Sequence, residues 1–242
     1  MKEFLTRHEV PFVSVNVIED ARGYAQLADL GVRSVPIVAR GRDWANGQVL
    51  ADVARVAGIR LDEHNLLPPA ELYRRLMIIQ CVAQRLFAQI PEARVGEHLP
   101  QRPRSYAGLA FHIFHIAELF VDHIVKDRVL VEGDYDRKPR ARRDGKGHVR
   151  AFGREVQTRL HTWWADGGKS SDFQVPAKVY YGRQSVHEFL ERTTWHSGQH
   201  VRQLCLVLEH LGIVPDRPPG AELWDGLPMP EKVWEDDVPW TQ

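Results

Sequence analysis

The chain has 242 residues, of which 43% are hydrophobic, enough to bury one large core or two small ones. Lysine plus arginine equals aspartate plus glutamate at 32 each, so the net charge does not favour nucleic acid or an anionic membrane as a partner. The N-terminus has no apolar signal core, and no stretch approaches the ~18–20 apolar residues that span a bilayer. We therefore expect a soluble globular protein with neither nucleic-acid nor membrane partners.

The cysteine content indicates a reducing compartment. Cys81 and Cys205 lie in apolar helical runs and form neither a CxxC motif nor any other spaced framework. Such a pattern is more typical of buried thiols in the cytoplasm than of a secreted disulfide protein. We therefore expect a cytoplasmic protein in which both thiols are buried.

Residues 1–59 are predicted to form an α/β unit, because short Val-rich runs alternate with helical segments. Proline opens the second of these runs, and Gly31 and Gly58 are suited to ending helices. The predicted order is a helix at Lys2–His8, a strand at Pro11–Val17, a helix capped by Glu19 and Asp20 that runs to Leu30, a strand at Val35–Ala39, a turn at Arg40–Asp43 and a helix from about Gly47 to Ala57.

Part of this unit resembles the glutaredoxin branch of the thioredoxin superfamily. The resemblance rests on KEFLTRHEVPFVSVNVIED and on Ser34-Val35-Pro36, which is similar to that family's TVP loop. It implies that Pro36 is cis and that the backbone beside it binds glutathione. The first strand and CxxC motif of a glutaredoxin would precede residue 1, so we expect a truncated unit without a redox dithiol. A structural or docking role is the alternative for this unit.

Residues 60–68 are predicted to be a polar, proline-terminated linker, and 69–212 to contain four helices. The second of these helices is apolar on nearly every side, as in the middle of a bundle. Helices this apolar can leave a face uncovered, so a homodimer is an open alternative to a monomer. The tail, 213–242, is expected to pack on the bundle through Trp224, Leu227 and Trp234.

The last helix carries two histidines on one face. His196 and His200 are four residues apart, so both imidazoles can reach one metal ion. Gln203 follows on the same face, where it could orient a ligating histidine. Ser197 occupies the position of the glutamate in the HExxH motif, which disfavours a zinc protease. Gly198 leaves a gap that a ligand or a neighbouring helix could fill.

Two segments together resemble the DinB (YfiT-like) four-helix bundle family: RSYAGLAFHIFHIAELF and YYGRQSVHEFLERTTWHSGQHVRQL. That family carries one histidine on its second helix and HxxxH on its last. The resemblance implies a metal site of His112, His196 and His200, since His112 is the seventh residue after Ser105; His115 is the competitor. The expected fold is an α+β two-domain protein, a truncated thioredoxin-like unit followed by an antiparallel four-helix bundle.

Three neutral imidazoles suit Zn, Ni, Fe or Mn and leave a coordination position open. Characterised members of the DinB superfamily include thiol S-transferases and a thiol-dependent isomerase. The resemblance therefore implies a metal-dependent enzyme whose partners are a small-molecule thiol, glutathione, and a small electrophile. Arg183, Arg202 and Tyr181 are candidate carboxylate-binding residues at the mouth of the site.

Two other functions remain open. In the first, the bundle is a non-catalytic docking or dimerisation module, and a fourth protein ligand such as His115 or Glu118 closes the metal site. In the second, the metal assists hydrolysis with a carboxylate base, for which Glu191 is available but poorly aligned with His196.

Overall fold

The computed structural model describes residues 1–17, 20–33, 35–60, 66–99, 102, 104–138 and 145–234. In these ranges the protein is of the α+β class, with α-helices and two small antiparallel sheets. The chain divides into two compact units, Met1–Asn65 and Leu66–Gln242. Glu19, Ser34, the middle of the predicted linker and the tail beyond residue 234 lie outside the described residues.

The first unit consists of helices around one β-hairpin. A two-residue connection joins its strands, and Gly41 there has a φ of 64°, which suits a hairpin turn. The core is formed by Leu5, Ala45, Val53 and Val56. The elements are α1 (Lys2–Arg7), α2 (Ala21–Asp29), β1 (Ile37–Arg40), β2 (Asp43–Asn46) and α3 (Leu50–Ala57).

Two expectations about the first unit are wrong. Residues 11–17 form no strand: neither strand of the hairpin pairs with them, and Val13 is 88% exposed. The helix expected from about Gly47 begins only at Leu50, and the residues between the predicted turn and this helix, for which no strand was expected, contribute to β2. Its register with β1 pairs Asp43 with Arg40 and Asn46 with Ile37.

The second unit consists mainly of four long helices, whose ends follow local signals in the sequence. Pro69 begins the first helix, and Pro91 follows its end. Ser105 accepts a hydrogen bond from the backbone of Gly108, and Ser185 forms a capping box with Glu188. The elements are α4 (Pro69–Gln89), α5 (Tyr106–Lys126), α6 (Lys146–Asp166), the short strands β3 (Pro176–Ala177) and β4 (Gln184–Ser185), and α7 (Val186–His210).

Neighbouring helices of this unit pack in two ways. Two pairs are parallel, α4 with α7 and α5 with α6. Two other pairs are antiparallel, α5 with α7 and α4 with α6. The contacts that establish these directions are Leu67 with His187 and Gln89 with Val214 for α4–α7; Phe111 with Phe152 and Asp122 with Arg159 for α5–α6; His112 with His200 and Phe120 with Phe189 for α5–α7; and Tyr73 with Trp164 and Gln84 with Arg150 for α4–α6.

This arrangement differs from the antiparallel bundle that the sequence predicts. Because α5 and α6 are parallel, the end of α5 at Lys126 and the start of α6 at Lys146 lie about one helix length apart, roughly 32 Å for 21 residues. Helical periodicity specifies each helix but not the direction in which the next one runs.

Helix α5 is the central helix of the second unit. Contrary to the expectation that no stretch could span a bilayer, it is long and apolar enough to do so by length and composition. Most of it is buried in the unit, and Ile113, Phe114, Ala117 and Phe120 are fully buried. Since a core helix of a soluble protein meets the same criterion, packing accounts for its apolarity.

The two cysteines are free thiols with different environments. Cys205 is half-buried, and burial raises the pKa of its thiol to about 11. Cys81 is exposed, so the expectation that both thiols are buried is wrong for Cys81. It lies on α4 among apolar residues, but its position on the helix turns it outward.

Candidate metal centre

Three of the predicted site residues meet between α5 and α7. His112 lies on α5, seven residues after the capping residue Ser105, and His196 and His200 lie one turn apart on α7. Because the two helices pack side by side, one ring nitrogen of each histidine lies within 4.8 Å of the others. The structure therefore brings His112, and not His115, to the HxxxH pair.

The spacing of the ring nitrogens suits a single ion. Nε2 of His196 and Nε2 of His200 are 3.1 Å apart. Two nitrogens bound to a tetrahedral zinc ion, each at about 2.05 Å, would be roughly 3.4 Å apart. The ring centroid of His112 lies 5.7 Å from that of His196 and 4.9 Å from that of His200. The cluster could hold a metal ion.

Burial keeps the three imidazoles neutral at physiological pH. Burial, followed by the nearby His200, holds the pKa values of His112 and His196 well below the usual value of 6.5. Burial and the charge of Arg104 lower the pKa of His200 to about 4, against a smaller opposite effect of Gln203. Neutral imidazoles offer the lone pairs that a metal ion requires.

Gln203 determines which nitrogen of His200 carries its proton. The amide Nε2 of Gln203 donates to the carbonyl of Val233 at 3.1 Å, so its Oε1 faces His200. Nδ1 of His200 lies 2.7 Å from this oxygen and must donate to it. The lone pair of His200 is therefore on Nε2, which points toward His196. This contact agrees with the role predicted for Gln203 from its spacing on α7.

The candidate fourth ligands are engaged elsewhere. Nδ1 of His115 lies 2.8 Å from a carboxylate oxygen of Glu118, and its Nε2 lies 2.7 Å from the carbonyl oxygen of Asp134. Glu118 also forms an ion pair with Arg137 at 2.8 Å. Among the described residues, no carboxylate or thiol joins the three histidines to complete a closed set of four ligands.

A segment of the tail lies against α7 beside the histidines. We call Pro230–Trp234 the C-terminal strap. Three side chains of α7 donate hydrogen bonds to its backbone carbonyls, which ties this irregular segment to the helix that carries the HxxxH pair. The contacts are Gln199 with Lys232 (3.0 Å) and Val233 (2.7 Å), Arg202 with Pro230 (2.5 Å) and Glu231 (2.7 Å), and Gln203 with Val233 (3.1 Å).

The rest of the tail also packs on the second unit, through the residues predicted for it. Trp224 lies against Gly198, where an added Cβ atom would come within 2.7 Å of the indole ring. The gap at Gly198 therefore accommodates the tail and not a neighbouring helix. Leu227 is buried, and the guanidinium of Arg102 lies 4.2 Å from the ring centre of Trp234.

The cation at the site differs from those expected. Arg202 binds the C-terminal strap, and Tyr181 is buried under the guanidinium of Arg192, 4.1 Å from its ring centre. Arg104 is instead close enough to lower the pKa of all three histidines. It lines a small cleft together with Gln203. The only signal for it in the sequence is its position directly before the capping residue of α5.

Pro36 belongs to the first unit, whereas the three histidines belong to the second. The Val35–Pro36 peptide bond is cis, as the glutaredoxin resemblance implies. The carbonyl of Pro36 accepts a hydrogen bond from the backbone of Gly47 at 2.8 Å, so this oxygen is already paired within the unit.

Comparison with other proteins leaves the family unassigned. No model of a known protein family matches the chain, and no curated protein is significantly similar to it.

Proposed function

We propose that this protein is a metal-dependent enzyme that activates a low-molecular-weight thiol, for which glutathione is the candidate. The activated thiol is transferred through its sulfur to a small electrophile, or it isomerises that electrophile. The observation that carries this proposal is the cluster of His112, His196 and His200, whose ring nitrogens converge without a fourth ligand among the described residues. Structural zinc sites commonly use four protein ligands, whereas catalytic sites keep a position free.

The residues around the cluster have separate roles in this proposal. The three neutral imidazoles would hold the ion, and Gln203 would keep His200 in the tautomer that ligates through Nε2. A divalent ion held there would supply one chemical effect, deprotonation of a thiol at neutral pH. His112 and His200 are buried while His196 is half-buried, so the approach for a thiol is from the side of His196.

The charge near the cluster supports an anionic substrate. Arg104 lies on the surface, yet desolvation lowers its pKa, with Asp136 opposing the shift. Within the described ranges, Arg104 makes no hydrogen bond and no ion pair. A cation that is partly stripped of water and forms no ion pair with a described residue favours a carboxylate. Thiols that carry carboxylates, such as glutathione, meet this requirement.

The resemblance of the first unit supports glutathione in particular. The segment around Pro36 resembles the glutathione-binding loop of the glutaredoxins, and the unit carries no CxxC motif within this sequence. In this proposal the resemblance makes glutathione the candidate thiol, and the thiol chemistry belongs to the second unit.

Absorption spectroscopy of the cobalt-loaded protein tests the proposal. Co²⁺ replaces zinc in such sites, and a coordinating thiolate adds a sulfur-to-cobalt charge-transfer band in the near ultraviolet. We expect glutathione to produce this band in the wild-type protein but not in His196→Ala, which lacks one ligand. S-methylglutathione, which cannot form a thiolate, is the matched control. A cobalt-loaded protein whose spectrum glutathione leaves unchanged would contradict the proposal.

A non-catalytic, metal-stabilised bundle that serves as a docking or dimerisation module is the second candidate. It is favoured by the burial of the cluster, since His112 is 4% and His200 8% exposed. In that case zinc would raise the melting temperature, but thiols would neither bind the metal nor alter the cobalt spectrum. The same titration therefore separates the two functions.

A further inference from the structure

The C-terminal strap and the metal cluster share one side chain. Gln203 faces His200 with its amide oxygen and Val233 with its amide nitrogen. An amide has only these two ends, so the contact with Val233 determines which end His200 meets. The two contacts are therefore coupled, although they involve parts of the chain about 30 residues apart.

The consequence for His200 follows from its tautomers. With the strap docked, Nδ1 of His200 donates to Gln203 and Nε2 is free of a proton, as ligation requires. Without the strap, the amide of Gln203 can turn its nitrogen toward Nδ1. Nδ1 would then accept and Nε2 would carry the proton, in the direction of His196.

We infer that Gln203 couples docking of the C-terminal strap to metal binding, so that the strap is a positioning element for His200 and is held more firmly when the metal is bound. This inference rests on the proposed metal site. Gln203 and Val233 act through His200 and touch no substrate. Coupling between two binding equilibria is reciprocal, so a strap that favours the metal must itself be stabilised by the metal.

Lys232 makes this coupling measurable. It is exposed within the strap, and trypsin can cleave the chain between Lys232 and Val233 when the strap leaves α7. Cleavage of a transiently opened segment follows the population of its open form. We expect saturating Zn²⁺ to slow the appearance of the fragment that ends at Lys232 by about 5-fold or more. Cleavage after the exposed Arg33, in the first unit, controls for any effect of zinc on trypsin.

Two isosteric variants of the full-length chain locate the coupling. Gln203→Glu keeps an acceptor for His200 but has no donor for Val233. Zinc should therefore still bind to this variant, but zinc should no longer slow its cleavage by trypsin. Gln199→Glu loses the donor that binds Lys232 and Val233 but does not touch a histidine. Cleavage should be faster in this control with and without zinc, and the slowing by zinc should persist.

The outcomes distinguish this inference from the proposed function. Zinc binding, measured by competition with a chromophoric chelator, together with equal cleavage rates with and without zinc would overturn the coupling and leave the metal site intact. A zinc effect that survives in Gln203→Glu would also overturn it. A wild-type protein that binds no zinc would overturn both proposals. Circular dichroism of each variant verifies that it is folded.

Discussion

The backbone carbonyl of Asp134 lies 2.7 Å from Nε2 of His115, and this contact keeps His115 away from the metal cluster. His115 is only three residues from His112 and is equally buried. Its other ring nitrogen, Nδ1, lies 2.8 Å from a carboxylate oxygen of Glu118, so both nitrogens have partners outside the cluster. Neighbouring histidines on one helix thus have different roles, one as a candidate ligand and one as a hydrogen-bonding residue.

Replacing each of these histidines by alanine should separate the two roles. We expect His112→Ala to lose bound zinc, because two imidazoles remain. His115→Ala should retain about one equivalent, as the three-ligand site remains, but unfold more easily by about 1–3 kcal/mol because the Asp134 carbonyl loses its partner. Elemental analysis after dialysis and urea unfolding measure the two effects. Zinc lost from His115→Ala and retained by His112→Ala would reverse the assignment.

The metal-free protein should lose stability as the pH falls from about 6.5 toward 4. The pKa of His200 is lowered from 6.5 to about 4, so at pH 5 its imidazole is protonated only in the unfolded chain. The unfolded state then binds more protons, which favours unfolding. For His200 alone the loss between pH 7.5 and 5 is on the order of 2 kcal/mol.

Urea unfolding at these two pH values measures the loss. His200→Asn, which does not titrate, is the matched variant and should show a smaller difference between pH 7.5 and 5. The lowered pKa values of Asp122 and Glu118 affect stability only at lower pH, where the carboxylates of the unfolded chain become protonated. Equal pH dependence in the wild type and in His200→Asn would contradict the expected burial of the ring.

Gly198→Ala should weaken docking of the tail. Its Cβ would lie 2.7 Å from the ring of Trp224, which must then move. Overpacking of this kind lowers the free energy of unfolding by about 1–3 kcal/mol, and the better helix propensity of alanine offsets about 1 kcal/mol of this loss. We expect a net destabilisation of about 1 kcal/mol in urea unfolding, with a change in tryptophan fluorescence.

Gly147→Ala is the matched control for this substitution. Gly147 is also helical, and an added Cβ there meets nothing within 4 Å. Alanine therefore adds only its better helix propensity at this position, so this variant should be as stable as the wild type or slightly more stable. If the two variants behaved alike, contact between Trp224 and Gly198 would have no energetic role.

Arg104 should determine the charge preference of the thiol if the proposed function holds. We expect Arg104→Gln to weaken binding of 3-mercaptopropionate to the cobalt-loaded protein by about 10-fold, through loss of one charge-assisted contact. Binding of 2-mercaptoethanol, which has no carboxylate, should change little. Arg183→Gln is the control, because Arg183 is exposed and does not line the cleft with Arg104. A loss of affinity that is equal for both thiols would indicate a change in the metal site itself.

The local sequence was sufficient to predict the helices of the second unit. Pro69, Ser105 and Ser185 mark helix starts, and each acts within one turn of its own position. The spacing of His196 and His200 likewise placed both rings on one face of α7, since helical geometry relates residues four apart wherever the helix lies. The contact between Gln203 and His200 follows from the same geometry.

Relations between distant segments were decided only by the tertiary structure. Residues 11–17 have the composition of a strand, but a strand needs a partner, and neither strand of the hairpin pairs with this segment. The parallel packing of α5 and α6 and the docking of Val233 on Gln203 join parts of the chain that no local pattern relates. Helical signals act over one or two turns, so the sequence by itself determined where the helices lie and which residues share a face. The packing of side chains from all four helices decided how those faces meet, and this packing brought His112 to the HxxxH pair.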